Sequence, residues 1–463
     1  MITQILLAIL LLLNIIFFVL LLSWKWVVKR VFHMMTRRIL SDAYDENLAE
    51  LFPGLKRYGM LTVIENSLRS EGGNVLHRPL GSPRQWPNFK PITFIPAQTT
   101  PFPVSIETEV DVSVTIGPTA KKPLYLQIPL LISGMGYGVG LNEKAKIALA
   151  EAATKAGTAI NSGEGGILQE ELQAAENYIL QFSKTAWGKE DDVLKQANMI
   201  EIKLGQGALM GMGAKIPPEK LKGRAREVMN IKDGEDAIIY EHFFENQTLQ
   251  DLKELVNELR SFTGGVPIGV KIASGGKIED DIDRLIEMGV DFITIDGGQA
   301  STHDAPPILQ DDFGIPSLHA IVRASNHLKQ REKKGKISLL VSGGLTNPGD
   351  FLKVLALGAD AVYLGTAMLY AITHNQLNQP LPWEPPTQLV WYGGKYDEDF
   401  DIQKGADAGY KFLTACTEEM KVALRAMGKT SLSELSLNDL VSYDEHIANC
   451  IGIPYSFNRY EQS

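Results

Sequence analysis

The chain has 463 residues, of which 44% are hydrophobic, and it carries a formal net charge of −10 with a pI near 5.4. This length is sufficient for one large globular domain with additional segments. The acidic balance argues against a nucleic-acid partner for the main body. The only cysteines, Cys416 and Cys450, are too few for a disulfide framework or for a cluster of about three or four thiolates. Low cysteine content fits a reducing compartment.

The amino-terminal residues predict a membrane anchor. Residues 5–22 are apolar except for Asn14, and about 18 to 20 such residues span a bilayer core as a helix. Before the first acid, Asp42, come two tryptophans suited to the interface and a basic series: Trp24, Lys25, Trp26, Lys29, Arg30, Arg37 and Arg38. We therefore expect residues 1–24 to cross the membrane once and residues 25–41 to form a basic juxtamembrane segment. The remainder would then be cytoplasmic.

Two other interpretations of this segment are less consistent with its residues. A cleaved signal peptide would begin with basic residues and end at small ones, and a buried core helix would show a polar face. Neither feature is present in residues 1–24. The following residues, 42–128, are rich in proline between Leu80 and Pro103, and Ser105–Ile116 alternates like a strand. We expect them to form an irregular collar around the main domain.

From residue 129 onward, short apolar runs alternate with amphipathic patterns. The predicted strands are Pro129–Ser133, Ala159–Ser162, Met199–Leu204, Ala237–Tyr240, Ile268–Ala273, Phe292–Asp296, Ser338–Ser342 and Ala361–Gly365. The predicted helices are Glu143–Ala156, Leu249–Phe262, Glu279–Met288, Leu318–Lys329 and Gly349–Leu357. Eight strands with helical crossovers predict an α/β fold of the (β/α)8 TIM barrel type over residues 129–372, with a doubly wound sheet as the alternative. Residues 373–463 would form a crossing loop and helices Phe412–Met427 and Leu432–Leu440 packed outside the barrel.

Glycines follow the strands at the end where barrels build their sites. Gly134-Met135-Gly136-Tyr137-Gly138 and Asn161-Ser162-Gly163-Glu164-Gly165-Gly166 follow the first two strands. Ser342-Gly343-Gly344 and Gly365-Thr366 end the last two, and Asp296-Gly297-Gly298 precedes them. Any one glycine pair is explained by a tight turn, but three consecutive strands ending this way favour a phosphate site made of backbone amides.

Three polar side chains at the strand ends are candidates for cofactor or substrate contacts. Lys271 lies in an otherwise apolar strand, where it needs an anionic partner such as a reduced flavin, unless it reaches solvent or a carboxylate. Glu164 lies among glycines, and either binds an ammonium group or a cofactor ring or is a plain loop acid. The Gln206 amide can donate to a flavin carbonyl. His242, His303 and His319 lack metal-ligand spacing, so we expect no metal.

These motifs together resemble the FMN-binding synthase domain of the glutamate synthase family. The strings GMGYGVGLNEKAKIALAEAATKAGTAINSGEGG, IEIKLGQGA, VPIGVKIA, ITIDGG and VSGGLTNPGDFLKVLALGADAVYLGTA occur in family order between about residues 100 and 370. The resemblance implies a (β/α)8 barrel, FMN as cofactor, and reduction of 2-iminoglutarate, formed from 2-oxoglutarate and ammonia, by hydride transfer from flavin N5.

The resemblance also implies a role for each matching residue. Gly134, Met135 and Tyr137 would lie along the isoalloxazine, and Asn161, Ser162 and Glu164 at its edge. Gln206 and Lys271 would contact the pyrimidine side. The phosphate would be held by Gly298, Gly343, Gly344, Gly365 and Thr366. Lys271 and Glu164 are the expected catalytic residues.

The chain also departs from the family pattern. We expect the membrane segment to stand in place of the family's glutaminase domain. The stretch after strand eight has no cysteines, so we expect no iron–sulfur cluster. At the family's 2-oxoglutarate positions stand Leu209, Met212 and Lys215, and Phe243-Phe244 replaces a histidine pair. The cofactor half of the site is thus retained, whereas the substrate half differs.

The expected function is a membrane-anchored FMN oxidoreductase that acts on an oxo acid, imine or amine, with electrons from a carrier protein or partner subunit. A related class, resembling IMP dehydrogenase, needs a cysteine nucleophile at the barrel mouth, where none occurs. A flavin isomerase remains an alternative. A non-catalytic membrane scaffold is another, although an idle buried Lys271 would be costly.

Overall fold

The computed structural model describes residues 2–303 and 305–458. The chain divides into two compact units at the bond between Leu76 and His77. The first unit begins with helix Ile2–Ser41, whose 40 residues extend about 60 Å at the usual helical rise. This helix is long and apolar enough to cross a membrane, and it includes the predicted basic segment without a break. Helices Leu51–Tyr58 and Met60–Gly72 follow, so the prediction of an irregular collar over residues 42–76 is wrong.

The second unit is a closed barrel of eight parallel strands, as predicted. The barrel strands, numbered one to eight along the chain, are Leu130–Ile132, Ala159–Asn161, Asn177–Phe182, Met199–Lys203, Ile268–Ala273, Phe292–Asp296, Ser338–Ser342 and Ala361–Leu364. Each strand pairs with the next, and strand eight closes on strand one through Val362 and Leu130. Nearly continuous apolar runs form these strands because helices cover the outer face of a parallel sheet.

One predicted member of the barrel is wrong. Ala237–Ile239 pairs antiparallel with Ala214–Ile216 in a separate hairpin, and barrel strand three is Asn177–Phe182. The missed strand carries Asn177 and Gln181 and follows a helix of only six residues, Gln169–Ala174. Its polar residues and short crossover obscure the strand pattern. Consequently Gln206 follows strand four rather than strand three, and Phe243 follows the hairpin rather than a barrel strand.

Helices surround the barrel, and the five predicted ones are observed within one residue of their predicted bounds. The structure has Glu143–Lys155, Asp191–Gln196, Arg224–Val228, Leu249–Phe262, Ile278–Met288, Pro307–Asp311, Ser317–Gln330, Pro348–Ala356 and Thr366–Thr373. Helices Asp191–Gln196, Arg224–Val228, Pro307–Asp311 and Thr366–Thr373 were not predicted. Capping side chains start several of them. Asn142, for example, accepts a hydrogen bond from the amide of Ala145, and Thr248 forms a capping box with Asp251.

The carboxyl-terminal segment packs on the outside of the barrel through helix Ile402–Ala426, which is longer than predicted. A Cβ added at Gly409 would lie 3.0 Å from the Ala152 Cβ, so the absent side chain permits this close helix contact. The predicted helix Leu432–Leu440 is wrong, since two short 3-10 turns, Leu432–Glu434 and Leu437–Asp439, lead into strand Leu440–Ser442. Helix Glu445–Ile451 follows.

The proline-rich collar spans residues 77–128 and contributes three short strands. Ile92–Phe94 pairs with Leu440–Ser442, and Val114–Ile116 pairs with Leu124–Leu126. Only the end of the predicted strand Ser105–Ile116 is therefore a strand. The apolar side chains of strands Val114–Ile116 and Leu124–Leu126 pack with Leu131, Phe292 and other residues of the barrel strands. This contact covers the amino-terminal end of the barrel, opposite the carboxyl ends of the strands.

Candidate active site

A cavity of about 910 Å³ opens at the carboxyl ends of the barrel strands. Every strand or the loop that follows it contributes to its wall: Gly134, Met135, Glu164, Gln181, Gln206, Lys271, Asp296, Ser342, Gly343, Gly344, Gly365 and Thr366. The collar adds Trp86 and Lys90. This volume is that of a pocket for a cofactor-sized molecule. The cavity brings together most of the residues that the sequence predicted for the site.

One part of the wall suits a phosphate group. Gly343 and Gly344 have φ values of +106° and +72°, a backbone conformation that side chains disfavour. Beside them, helix Thr366–Thr373 starts at Gly365 without a capping side chain. A Cβ at Gly365 would have no neighbour nearer than the Ser133 Cβ, at 3.7 Å, so the start of the helix is open to a ligand. Backbone amides at a helix start attract anions.

Two lysine–carboxylate pairs lie at the barrel mouth. Lys203 contacts the Glu164 carboxylate, and the Lys271 Nζ lies 3.7 Å from Asp296 Oδ2. Lys203 and Lys271 are register partners on adjacent strands, and both are buried. Burial and the neighbouring Lys271 charge lower the pKa of Lys203 to about 7, while the nearby Asp296 carboxylate opposes the shift. The site therefore holds two buried lysine–carboxylate pairs on adjacent parts of the wall.

Beneath these pairs, the fully buried Glu201 organises the barrel interior. Its Oε1 accepts hydrogen bonds from the side-chain amides of Asn161 and Gln181, both at 2.8 Å. Its Oε2 accepts one from the Thr294 hydroxyl at 2.7 Å. A buried carboxylate is tolerated when its oxygens are satisfied in this way. Glu201 thus joins strands two, three, four and six under the cavity.

Glycines of the first two loops pack against each other as well as forming cavity wall. A Cβ at Gly136 would lie 2.4 Å from the Gly165 amide nitrogen, and one at Gly163 would lie 2.4 Å from the Gly136 nitrogen. A Cβ at Gly134 would lie 2.6 Å from the Asn161 Oδ1. Close contact between the two loops therefore requires these glycines, in addition to any contact with a ligand.

Four predicted site residues lie away from the cavity wall. The Asn161 side-chain amide donates to Glu201. The Ser162 hydroxyl donates to the Gly163 carbonyl and accepts from the Gln181 backbone amide. The Tyr137 ring packs edge-on against Tyr392 at 5.9 Å, in a separate apolar cluster, and burial raises the pKa of Tyr137 to about 12. The structure thus places these three behind the wall.

Gly298 is the fourth. Its amide donates to the Ile315 carbonyl at 2.8 Å, and an added Cβ would lie 3.3 Å from Trp86. This glycine therefore permits close packing of the collar, and its amide is not available to a phosphate.

The positions that differ from the family pattern also lie outside the cavity wall. Met212 is exposed, and Lys215 forms an ion pair with Asp236 at 2.7 Å in which its side chain is 68% exposed. Phe243 stacks on Phe182 with ring centroids 5.8 Å apart. Val139, Leu369, Tyr370, Trp391 and Phe412 instead form an apolar part of the wall.

From the sequence, Lys203, Glu201 and Gln181 were not identified as site residues. Asp296 was named only as part of a glycine turn, and its carboxylate was given no role. Lys203 and Glu201 are two residues apart in strand Met199–Lys203, so both side chains point to one face. Two charged residues on one face of an otherwise apolar strand were a usable signal. Gln181 lies in the unrecognised third strand, and the contribution of Trp86 depends on how the collar folds back.

The wall is consistent with a flavin. The Trp86 indole nitrogen is buried without a hydrogen-bond partner among the described residues, which leaves a donor for a bound group. The glycine turns and the open helix start suit a phosphate, and Gln206 and Lys271 offer an amide and a cation to polar ring atoms. No group of histidine, cysteine and acidic side chains within the described residues could hold a metal ion.

Comparisons with known proteins identify the family of the chain. Residues 92–381 match the family described as a conserved region in glutamate synthase. An archaeal-type glutamate synthase (NADPH) of Thermotoga neapolitana is 31% identical over 337 residues, which cover 72% of this chain and 66% of that protein. A glutamate synthase large subunit-like protein of Rhizobium meliloti is 31% identical over 400 residues, covering 81% of this chain and 89% of that one.

A solved structure shows the same fold. A flavocytochrome b2 variant covers 81% of this chain, with 83% of its own chain covered, at 20% identity and a TM-score of 0.50. The chain spans about two thirds of the length of the archaeal-type relative and most of the large subunit-like one.

Proposed function

Since the chain belongs to the glutamate synthase family, we propose that it is an FMN-dependent oxidoreductase that reductively aminates 2-oxoglutarate or a related oxo acid. The observation that carries this proposal is the single cavity that joins an anion-binding wall to two buried lysine–carboxylate pairs. Gly343, Gly344, Gly365 and Thr366 would hold the FMN phosphate. When bound, FMN would supply the hydride donor and acceptor.

The polar residues of the wall have distinct tasks in this proposal. Lys271 places its charge beside the pyrimidine side of the ring, where negative charge accumulates on reduction, and Gln206 donates to a ring carbonyl. Glu164 faces the substrate and binds its ammonium or iminium group, while Lys203 holds the Glu164 carboxylate in place. Gly134 and Met135 lie along the ring and exclude water from it.

An apolar part of the wall favours a second candidate substrate. The cavity is lined by Leu369, Tyr370, Trp391 and Phe412. The residues that stand at the family's 2-oxoglutarate positions, such as Leu209 and Met212, do not line it. A substrate with an apolar side chain would bury that surface favourably, at about 25 cal/mol per Å² of apolar area. An oxo acid or amine of this type is therefore the alternative to 2-oxoglutarate.

The proposal extends to the rest of the chain. Residues 1–24 anchor the protein in a membrane as a single span, residues 25–41 form the basic juxtamembrane segment, and the barrel of residues 129–372 lies in the cytoplasm. Residues 373–463 pack on that barrel. The two cysteines support the absence of an iron–sulfur cluster, so electrons come from a separate donor protein or subunit.

The test uses the full chain purified in detergent and loaded with FMN. After anaerobic reduction, flavin absorbance should return when 2-oxoglutarate and ammonium are added together. Recovery with an apolar oxo acid and ammonium, but not with 2-oxoglutarate, would select the second substrate. A reduced flavin that responds to neither would overturn the imine-reducing activity. Lys271→Met should abolish the response, whereas Lys155→Met, at a surface ion pair with Asp407, should retain it.

A further inference from the structure

Behind the loop that follows barrel strand two lies an ion pair with almost no solvent contact. The Lys146 Nζ is 2.8 Å from the Glu171 Oε1, and the two side chains are 1% and 0% exposed. Lys146 belongs to helix Glu143–Lys155 and Glu171 to helix Gln169–Ala174. Neither residue lines the cavity, and the proposed function assigns them no part.

The pair is difficult to explain as a contribution to stability alone. Removing two charges from water costs several kcal/mol per ion, and apolar residues of similar size in such a place are often as stabilising. Apart from Lys146, Glu171 has no hydrogen-bond partner among the described residues. The carboxylate therefore serves mainly to keep a buried ammonium group next to it.

The ammonium group makes one further contact, and it leads to the site. Lys146 Nζ donates to the Ser162 carbonyl oxygen at 2.8 Å, directly after strand two. The Ser162 hydroxyl accepts from the Gln181 amide, and the Asn161 Oδ1 accepts from the Gly163 amide, both at 2.9 Å. The next residue along the chain is Glu164. The cation thus fixes the first residue of the loop that carries this carboxylate.

We propose that Lys146 and Glu171 are positioning residues, which hold the loop of residues 162–166 and thereby set the place of the Glu164 carboxylate at the cavity. Two further hydrogen bonds connect the same loop to neighbouring residues. The Trp187 indole donates to the Glu164 carbonyl at 2.9 Å, and the Gly166 amide donates to the Tyr137 carbonyl at 3.0 Å. This inference deepens the proposed function, since it assigns a support to Glu164.

The test separates support of the loop from stability of the core. In Lys146→Met/Glu171→Leu, apolar side chains of similar size replace both charges, so the free energy of unfolding should stay near that of the wild type. Above about pH 8, where the Glu171 carboxyl is ionised, Glu171→Gln leaves the Lys146 ammonium without its counter-ion. Lys144→Met is the matched control, because Lys144 lies on the same helix and pairs at 3.1 Å with the exposed Glu398.

Two readouts are measured on the full chain in detergent. Amide hydrogen exchange of the peptide covering residues 159–168 needs no cofactor, and we expect it to rise about tenfold in the double variant, as for loss of one hydrogen bond to a charged group. The FMN dissociation constant should rise by a similar factor. The control should change neither quantity.

A double variant with wild-type exchange in residues 159–168 and wild-type FMN affinity would overturn the inference. If the double variant does not fold, amide exchange in residues 159–168 of the folded Glu171→Gln variant is measured instead. Exchange equal to that of the wild type would also overturn the inference. A wild-type chain that binds no FMN would contradict the proposed function, while the exchange measurement would still decide the inference.

Discussion

Gly163 carries more structural constraint than its place in a loop suggests. Its φ of +71° lies in the left-handed region, and an added Cβ would meet backbone atoms of Met135 and Gly136 rather than flexible side-chain ends. Neither loop can shift freely, because both continue directly into barrel strands. The requirement for glycine therefore comes from the contact between two site loops.

Gly163→Ala should lower the free energy of unfolding by roughly 3 kcal/mol, since the new Cβ lies 2.4 Å from the Gly136 nitrogen in a disfavoured backbone conformation. Gly275→Ala is the control, because no atom lies within 4 Å of its added Cβ. Urea unfolding in detergent measures both variants. Equal stability of the two alanine variants would contradict a requirement for glycine at the contact between the two loops.

Glu171 gives a prediction about pH. Burial raises the pKa of this carboxyl to about 7, against 4.5 in the unfolded chain, while the Lys146 charge opposes the shift. The folded chain binds more protons than the unfolded chain between these values, so this contribution to stability is present below about pH 4.5 and lost as pH rises through about 7.

From about pH 5 to about pH 8, the free energy of unfolding of the wild type should therefore fall relative to that of Glu171→Gln. The groups that face Glu171 and titrate are Lys146 and Tyr178, and burial raises the pKa of Tyr178 far above this window. Denaturant unfolding at several pH values measures the difference. Parallel pH curves for the two proteins would refute the assignment.

The loop after barrel strand four is held by a side chain from the loop after strand three, Lys184. The Lys184 Nζ donates to the carbonyl oxygens of Leu204, Gly211 and Glu241 at 2.9–3.1 Å. Within this loop the backbone φ is positive at two non-glycine residues, Ala208 and Met210. Such a conformation persists only where its surroundings hold it.

Lys184→Met should lower the free energy of unfolding by about 2 kcal/mol, the scale of hydrogen bonds to a charged donor. Exchange of the amides in residues 204–211 should increase, and because Gln206 lies in this loop, FMN affinity should fall. Lys155→Met, which breaks only the surface pair with Asp407, should have little effect. A loss of the same size in both variants would argue against a specific role of Lys184 in holding this loop.

The same elements show which parts of the fold were predictable. Strands such as Ile268–Ala273 and Phe292–Asp296 were predicted with their observed bounds, because fully buried parallel strands are continuous apolar runs. Strand Asn177–Phe182 was missed because Gln181 faces the polar interior around Glu201. The glycine turns predicted the cavity wall, whereas the places of Tyr137 and Gly298 depended on tertiary packing.

For the whole molecule, the proposed orientation depends on the charge asymmetry around the first helix. Basic residues follow the apolar segment closely, which favours a cytoplasmic body. A reporter active only in the cytoplasm, fused after Ser463, should be active. Activity of a reporter that functions only outside the cytoplasm, fused at the same place, would contradict the orientation.

We propose that the barrel holds one FMN, and the flavin content of the full chain, purified in detergent without added cofactor, measures this directly. The visible absorption spectrum gives the amount, and mass spectrometry after release by acid identifies the molecule. We expect FMN at about one per chain, directly or after incubation with FMN, and bleaching under anaerobic reductant. A protein that stays colourless after that incubation, while still folded, would contradict FMN binding by the barrel.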